Sequence, residues 1–127
     1  MTAKKPTFED ATQAVIQHAI ERHWEAIPAR GIAISMSLEA NELLEHYQWQ
    51  EEPVGDIHEL SGELADVLIY AIQFAKHYDI DISEAIMRKL EKSAIKYPVE
   101  KFTSTDPKER RKNWLEIKKN HKKDTIL

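Results

Sequence analysis

Residues 37–49 read Ser-Leu-Glu-Ala-Asn-Glu-Leu-Leu-Glu-His-Tyr-Gln-Trp, and residues 63–70 read Glu-Leu-Ala-Asp-Val-Leu-Ile-Tyr. Each stretch carries two acidic residues three positions apart: Glu39 and Glu42, then Glu63 and Asp66. Residues three apart lie on one face of an α-helix, so the two carboxylates of a pair can converge. Each acidic stripe also borders an apolar face. We therefore predict two helices that pack by their apolar faces, with four carboxylates meeting at the edge of the core.

Four carboxylates in one place repel one another, and partial burial increases the repulsion unless a cation or protons offset it. An all-oxygen set favours a hard cation such as Mg²⁺ or Mn²⁺ over zinc. Because Mg²⁺ commonly shares its coordination sphere with phosphates, a phosphate-bearing substrate is indicated. The stripes continue into Trp49 and Tyr70, aromatic residues able to hold a flat ligand. The same spacing also occurs on solvated helix surfaces that bind nothing.

The remaining chain is also patterned as helices, so we predict an all-α fold. Thr7 with Asp10, and Asp56 with Glu59, have the spacing of capping boxes that begin helices. Asp106 followed by Pro107 is typical of another helix start. The predicted helices run from Thr7 to no later than Ile27, from Ile32 to Gln50, from Asp56 to Tyr78, from Ile82 to Tyr97, and from Asp106 to His121.

Composition restricts the function. The 127 residues suit one modest domain, and the absence of cysteine excludes disulfides and thiolate chemistry. Residues 1–99 carry 9 Lys+Arg against 17 Asp+Glu, whereas residues 100–127 carry 9 against 5. Such an acidic body is atypical of nucleic-acid-binding proteins, although the basic tail leaves that as a minor alternative. The sequence shows neither a signal peptide nor a membrane span, and we expect a cytoplasmic protein.

The two acidic stretches, followed by Lys-Leu-Glu-Lys-Ser-Ala-Ile-Lys-Tyr-Pro at residues 89–98, resemble the MazG-like all-α nucleoside triphosphate pyrophosphohydrolases. The resemblance covers about residues 10–101 and is greatest for the single-domain branch that includes dCTP pyrophosphatases. It implies a four-helix bundle at 1–101 with an additional basic helix at 102–127, assembled as a homodimer or homotetramer. It also implies hydrolysis of a (deoxy)nucleoside triphosphate such as dCTP to monophosphate and pyrophosphate, with Mg²⁺ or Mn²⁺, in clearing unwanted nucleotides.

The resemblance also assigns roles by position. The implied metal ligands are Glu39, Glu42, Glu63 and Asp66, and the first two are the candidates for taking the proton of the attacking water. The implied contacts to the base are Trp49 and Trp24, and those to the sugar and phosphates are Tyr70, Lys89, Lys92 and Tyr97. Leu38, Asn41, Gly31 and Ser93 depart from the dCTP-specific pattern. A related enzyme acting on dUTP or damaged nucleotides therefore stays open. A separate alternative is a non-enzymatic helical interaction module whose acidic stripe recognises a basic partner.

Overall fold

The computed structural model describes residues 2–125, with side chains described to residue 122. Its helices are α1 Phe8–Glu21, α2 Ala29–Glu45, α3 Ile57–His77, α4 Ile82–Lys96 and α5 Pro107–Thr125, with short 3₁₀ segments at Trp24–Ala26 and Val99–Lys101. Residues 2–125 contain no β-strand. The predicted all-α fold is confirmed.

The helix starts are set by local side-chain caps, as the sequence predicts. At the start of α1 the Thr7 hydroxyl accepts from the Asp10 N–H at 3.1 Å, and the Asp10 carboxylate accepts from the Thr7 N–H at 2.8 Å. Asp56 and Glu59 form the same reciprocal box at the start of α3. The carboxylate of Asp106 accepts from the backbone N–H two residues later, at 3.0 Å, and so caps α5. Each cap satisfies backbone donors that a helix cannot satisfy internally.

The helix ends differ from the prediction. The first helix stops at Glu21, and Trp24 lies in the 3₁₀ segment that follows. The second begins at Ala29, not Ile32, because the Pro28 carbonyl accepts the N–H groups of Gly31 and Ile32 at 2.9 and 3.3 Å. It ends at Glu45, so the predicted extension to Gln50 is wrong and Trp49 lies off the helical stripe. Helix α5 continues past His121.

The chain forms two compact units, Met1–Ile82 and Ser83–Leu127. In the first, α2 packs along α3 and α1 packs against α3. The buried apolar residues of the described chain are Ala19, Ile32, Ile72 and Ala75. This core is small, and large apolar side chains on α3, including Leu64 and Leu68, stay exposed.

The second unit contains all but the first residue of α4, together with α5. The Asn113 amide on α5 donates to the Lys101 carbonyl at 2.8 Å, which ties the helix to the preceding 3₁₀ segment. The Tyr97 and Phe102 rings meet edge to face, with centroids 6.0 Å apart. The predicted boundary between residues 101 and 102 falls inside this unit and stays a prediction. Within the described residues, no helix is both long and apolar enough to cross a membrane.

Candidate metal and nucleotide site

Three of the predicted ligands meet where α2 faces the first half of α3. One oxygen each from Glu39, Glu63 and Asp66 lies within 4.8 Å of the others. The helices run antiparallel, so Glu39 faces the turn that contains Asp66 while the end of α2 lies beside the start of α3. On α3 the spacing of three residues points Glu63 and Asp66 toward α2, whereas on α2 only Glu39 joins the group of three. This arrangement can hold one cation through three carboxylates.

Glu42 joins this cluster through its neighbours. Its side chain is exposed and lies outside the group of three oxygens, but its proximity raises the pKa of Glu39 and of Glu63. Glu42 therefore belongs to the acidic cluster, and its role as a fourth metal ligand stays a prediction. We call these four residues, Glu39, Glu42, Glu63 and Asp66, the acidic cluster.

The electrostatics of the acidic cluster favour a bound cation. Loss of solvation raises the pKa of Glu39, and the charges of Glu42, Asp66 and Glu63 raise it further. Loss of solvation also raises the pKa of Glu63, and the neighbouring Glu42 adds to this, whereas His46 opposes it. A divalent cation would replace the proton that these raised pKa values call for. The donors are all oxygens and fit Mg²⁺ or Mn²⁺.

His46 is a neighbour of the acidic cluster to which the sequence gave no role. Its Nδ1 accepts the Gly55 N–H at 3.1 Å, and its Nε2 lies 3.7 Å from Oε1 of Glu63. The signal for it in the sequence is its position four residues after Glu42. The sequence did not predict the contact between His46 and Gly55, because the turn that brings Gly55 back to the end of α2 has no periodic pattern.

The aromatic residues of the two stripes end up in different surroundings. Tyr70 lies one turn beyond Asp66 on α3 and is half-buried. Trp49 lies in the connection between α2 and α3 and is 88% exposed. Its indole is therefore free to receive a ligand or a partner surface.

Trp24 lines a cavity of about 520 Å³ in the first unit. The other lining residues are Ile16, Ala19, Ile20, Glu25, Ile32, Gln73, Lys76 and His77. The His18 ring meets the Trp24 ring edge to face at 5.4 Å, and the Arg22 guanidinium lies 5.9 Å from the Trp24 ring centroid. Gln73, only 8% exposed, was missed by the sequence analysis, because a lone amide on an otherwise apolar helix face carries no motif.

Three of the implied substrate contacts belong to the second unit. Lys89, Lys92 and Tyr97 line a groove of about 870 Å³ on α4 and the segment that follows. The Lys96 ammonium lies 5.2 Å from the Tyr97 ring centroid. The groove combines cationic tips with apolar walls, which suits an anionic ligand that also carries an apolar part.

This chain is similar to several known proteins. The MazG-like family model matches residues 34–109. Mouse dCTP pyrophosphatase 1 is 31% identical over 104 residues, which are 75% of this chain and 61% of the mouse protein. The human protein of the same name is 30% identical over 113 residues, 82% of this chain and 66% of the human protein. The chain thus spans less than two thirds of the length of these relatives.

A solved structure of a pyrophosphatase from Archaeoglobus fulgidus superimposes with a TM-score of 0.63 at 29% identity. The superposition covers 77% of this chain and 98% of the archaeal one. The matched family region contains the acidic cluster, Trp49, Tyr70 and the lysines of α4, whereas Trp24 precedes it. Since the family model covers more than half of the chain, this protein belongs to the MazG-like family.

Proposed function

We propose that this protein hydrolyses a (deoxy)nucleoside triphosphate to the monophosphate and pyrophosphate with Mg²⁺, and that dCTP or a related deoxynucleotide is its substrate. The observation that carries the proposal is the convergence of Glu39, Glu63 and Asp66 within 4.8 Å. Membership of the MazG-like family and the likeness to dCTP pyrophosphatases support it. The biological role that fits is removal of unwanted nucleotides from the pool.

In this proposal the acidic cluster holds the metal ion. When bound, Mg²⁺ offsets the negative charge of the phosphates and of the departing pyrophosphate. A water oxygen attacks the α-phosphorus, the bond from that phosphorus to the bridging oxygen breaks, and pyrophosphate leaves with the bond electrons. One carboxylate takes the water's proton, and Glu39 and Glu42 are the candidates.

The base and sugar are assigned to residues outside the acidic cluster. From Asp66 to Gln73 the helix rises about 10 Å, at 1.5 Å per residue. This is on the order of the distance between the base and the phosphates of an extended nucleotide. The cavity that contains Trp24 and Gln73 could therefore receive the base, as the resemblance implies for Trp24. Trp49, Tyr70, Lys89, Lys92 and Tyr97 keep their proposed contacts to base, sugar and phosphates.

We also propose that the active form is a homodimer or homotetramer. Large apolar side chains are exposed along α2, α3 and α4, and Leu44, Leu68 and Leu90 are examples. Burial of each such side chain against a second copy contributes roughly 1.5–3 kcal/mol. Sedimentation tests this directly: a protein that is fully active yet monomeric at micromolar concentration would contradict the oligomer.

The reaction is tested by incubating the pure protein with each common NTP and dNTP, and with dUTP and methylated dCTP. Each incubation contains either Mg²⁺ or EDTA, and chromatography resolves monophosphate, diphosphate, pyrophosphate and phosphate. We expect monophosphate and pyrophosphate in equal amounts with Mg²⁺ and no product with EDTA. Release of phosphate and diphosphate instead would contradict the proposed bond cleavage. No turnover of any nucleotide would favour the interaction module.

Labelled water locates the attacked phosphorus. Reaction in H₂¹⁸O is expected to place one ¹⁸O in the monophosphate and none in the pyrophosphate, because the water attacks the α-phosphorus. Label in the pyrophosphate alone would mean attack at the β-phosphorus and would require a different placement of the cation.

A further inference from the structure

The connection between α2 and α3 is held to the end of α2 by one residue. The backbone carbonyl of His46 accepts the Val54 N–H at 3.0 Å, and the imidazole Nδ1 accepts the Gly55 N–H at 3.1 Å. Residues 47–53 therefore form a closed loop whose two ends meet at His46. Trp49 is carried on this loop. The position of the imidazole thus sets where the loop begins and ends.

The Gly55 contact also fixes which imidazole nitrogen carries the proton. A backbone N–H can be accepted only by a nitrogen with a free lone pair, so Nδ1 is unprotonated and Nε2 carries the hydrogen. That Nε2–H faces Oε1 of Glu63 at 3.7 Å. The side chains of His46 and Glu63 are only 15% and 24% exposed, so water screens their interaction incompletely.

The imidazole is also confined from the side of α3. A Cβ atom at Gly55 would overlap with the His46 ring and with the carboxylate of Glu59. That carboxylate accepts the Asp56 N–H at 2.8 Å in the capping box of α3. The ring therefore lies against a backbone that has no room for a side chain, between the end of α2 and the first turn of α3. Its orientation is fixed before any cation binds.

We propose that His46 is a positioning residue with two contacts: its Nε2–H orients the Glu63 carboxylate for a divalent cation, and its Nδ1 holds the loop that carries Trp49. The inference rests on the proposed cation site. At 3.7 Å the contact between His46 and Glu63 is longer than a hydrogen bond, so it acts by electrostatic attraction. Removal of a polar partner of a metal ligand typically alters metal affinity by about 10–100-fold. His46 would thereby fix the position of Trp49 relative to the acidic cluster.

Three substitutions separate the two contacts. His46→Asn keeps an acceptor near the position of Nδ1 but has no group that reaches Glu63. His46→Gln places an amide N–H near the position of Nε2 but loses the acceptor for Gly55. His46→Leu removes both. The matched control is His58→Asn, because the His58 side chain is exposed on the first turn of α3.

The first measurement is Mn²⁺ affinity of the full chain without substrate, from the electron paramagnetic resonance signal of free Mn²⁺. We expect His46→Asn and His46→Leu to weaken binding by about 10-fold or more, while His46→Gln and His58→Asn retain most of the affinity. Wild-type affinity in His46→Asn would overturn the proposal. If circular dichroism shows that His46→Asn is unfolded, the test is His46→Gln against His46→Leu, and equal Mn²⁺ affinities there would overturn it.

The second measurement follows the loop through Trp49 fluorescence anisotropy, with Trp24 and Trp114 replaced by phenylalanine. His46→Asn is expected to leave the anisotropy unchanged, whereas His46→Gln and His46→Leu lower it. Equal anisotropy in all three variants would overturn the loop contact. A wild-type protein that neither binds Mn²⁺ nor turns over nucleotide would overturn the proposed function as well. If the wild type binds Mn²⁺ and turns over nucleotide, and His46→Asn binds Mn²⁺ equally well, only the positioning role of His46 would be overturned.

Discussion

The two ends of the α2–α3 pair differ sharply in chemistry. At one end Glu39, Glu63 and Asp66 place their oxygens within 4.8 Å of one another. Near the other end Ile32 and Gln73 line a mainly apolar cavity of about 520 Å³, together with Trp24. The same two helices thus present an anionic surface at one end and an apolar one at the other. This polarity suits a ligand with phosphates at one end and a flat base at the other.

The ends also differ in how they are built. The acidic end is built from two helices, α2 and α3. Each helix supplies one pair of carboxylates, and the spacing of three residues sets the position of the pair. The apolar end needs α1, the 3₁₀ segment, α2 and α3 to meet. A conservative substitution at the acidic end should therefore alter the chemical step and leave the fold intact. Substitutions at the apolar end should alter substrate binding or stability.

The largest expected effect is at the acidic end. Glu63→Gln, and likewise Asp66→Asn, removes a charged metal ligand while nearly preserving shape, and we expect kcat to fall by at least about 10²-fold. The fold should persist, since the substitution relieves repulsion among carboxylates. Pyrophosphate release at saturating Mg²⁺ measures the change, and Glu45→Gln on the exposed end of α2 is the control. Full activity in Glu63→Gln or Asp66→Asn would contradict the placement of the chemical step at the acidic end.

At the apolar end, Trp24→Ala should affect binding more than chemistry. Aromatic stacking on a base contributes about 1–3 kcal/mol, so we expect KM for the best substrate to rise about 10-fold, with kcat little changed. Trp24→Phe keeps an aromatic face and should retain most of the affinity. Steady-state kinetics with the preferred dNTP separate the two parameters. An unchanged KM in Trp24→Ala would mean that this cavity does not hold the base.

Sequence alone predicted the acidic end far better than the apolar end. The spacing within Glu39–Glu42 and Glu63–Asp66, and the caps at Thr7 and Asp56, are local features that a helix translates directly into geometry. The predicted end of α2 was wrong because the chain turns back after this helix. The N–H of Gly55 donates to His46, nine residues earlier. Nothing periodic encodes that contact, nor the position of Gln73 in the cavity.

A smaller effect is expected from Gln73→Met. The Gln73 side chain is 8% exposed and lines a mainly apolar cavity. Met has a similar shape and no amide to desolvate, so the free energy of unfolding should rise by about 1 kcal/mol. Urea denaturation measures it, with Gln17→Met on the exposed face of α1 as control. A destabilised Gln73→Met would mean that the amide is satisfied by water or a partner subunit.

The smallest expected effect is the pH dependence of stability at the acidic end without metal. Burial, together with neighbouring carboxylates, raises the pKa of Glu39 and of Glu63 above the 4.5 of an unfolded glutamate. As the pH falls toward 4.5, the folded state binds these protons before the unfolded state does, so both groups become less destabilising. In EDTA, the Glu39→Gln/Glu63→Gln double variant should therefore melt a few degrees above wild type at pH 7.

This difference should narrow as the pH falls toward and below 4.5, because the wild-type carboxyls take up protons over this range. Saturating Mg²⁺ at pH 7 should raise the melting temperature of the wild type and leave that of the double variant unchanged, because the cation takes the place of the protons. Thermal scans between pH 7 and 4.5 measure both trends. Parallel curves for the two proteins in EDTA would mean that the carboxylates do not repel one another in solution, and that no repulsion at this end favours a bound cation.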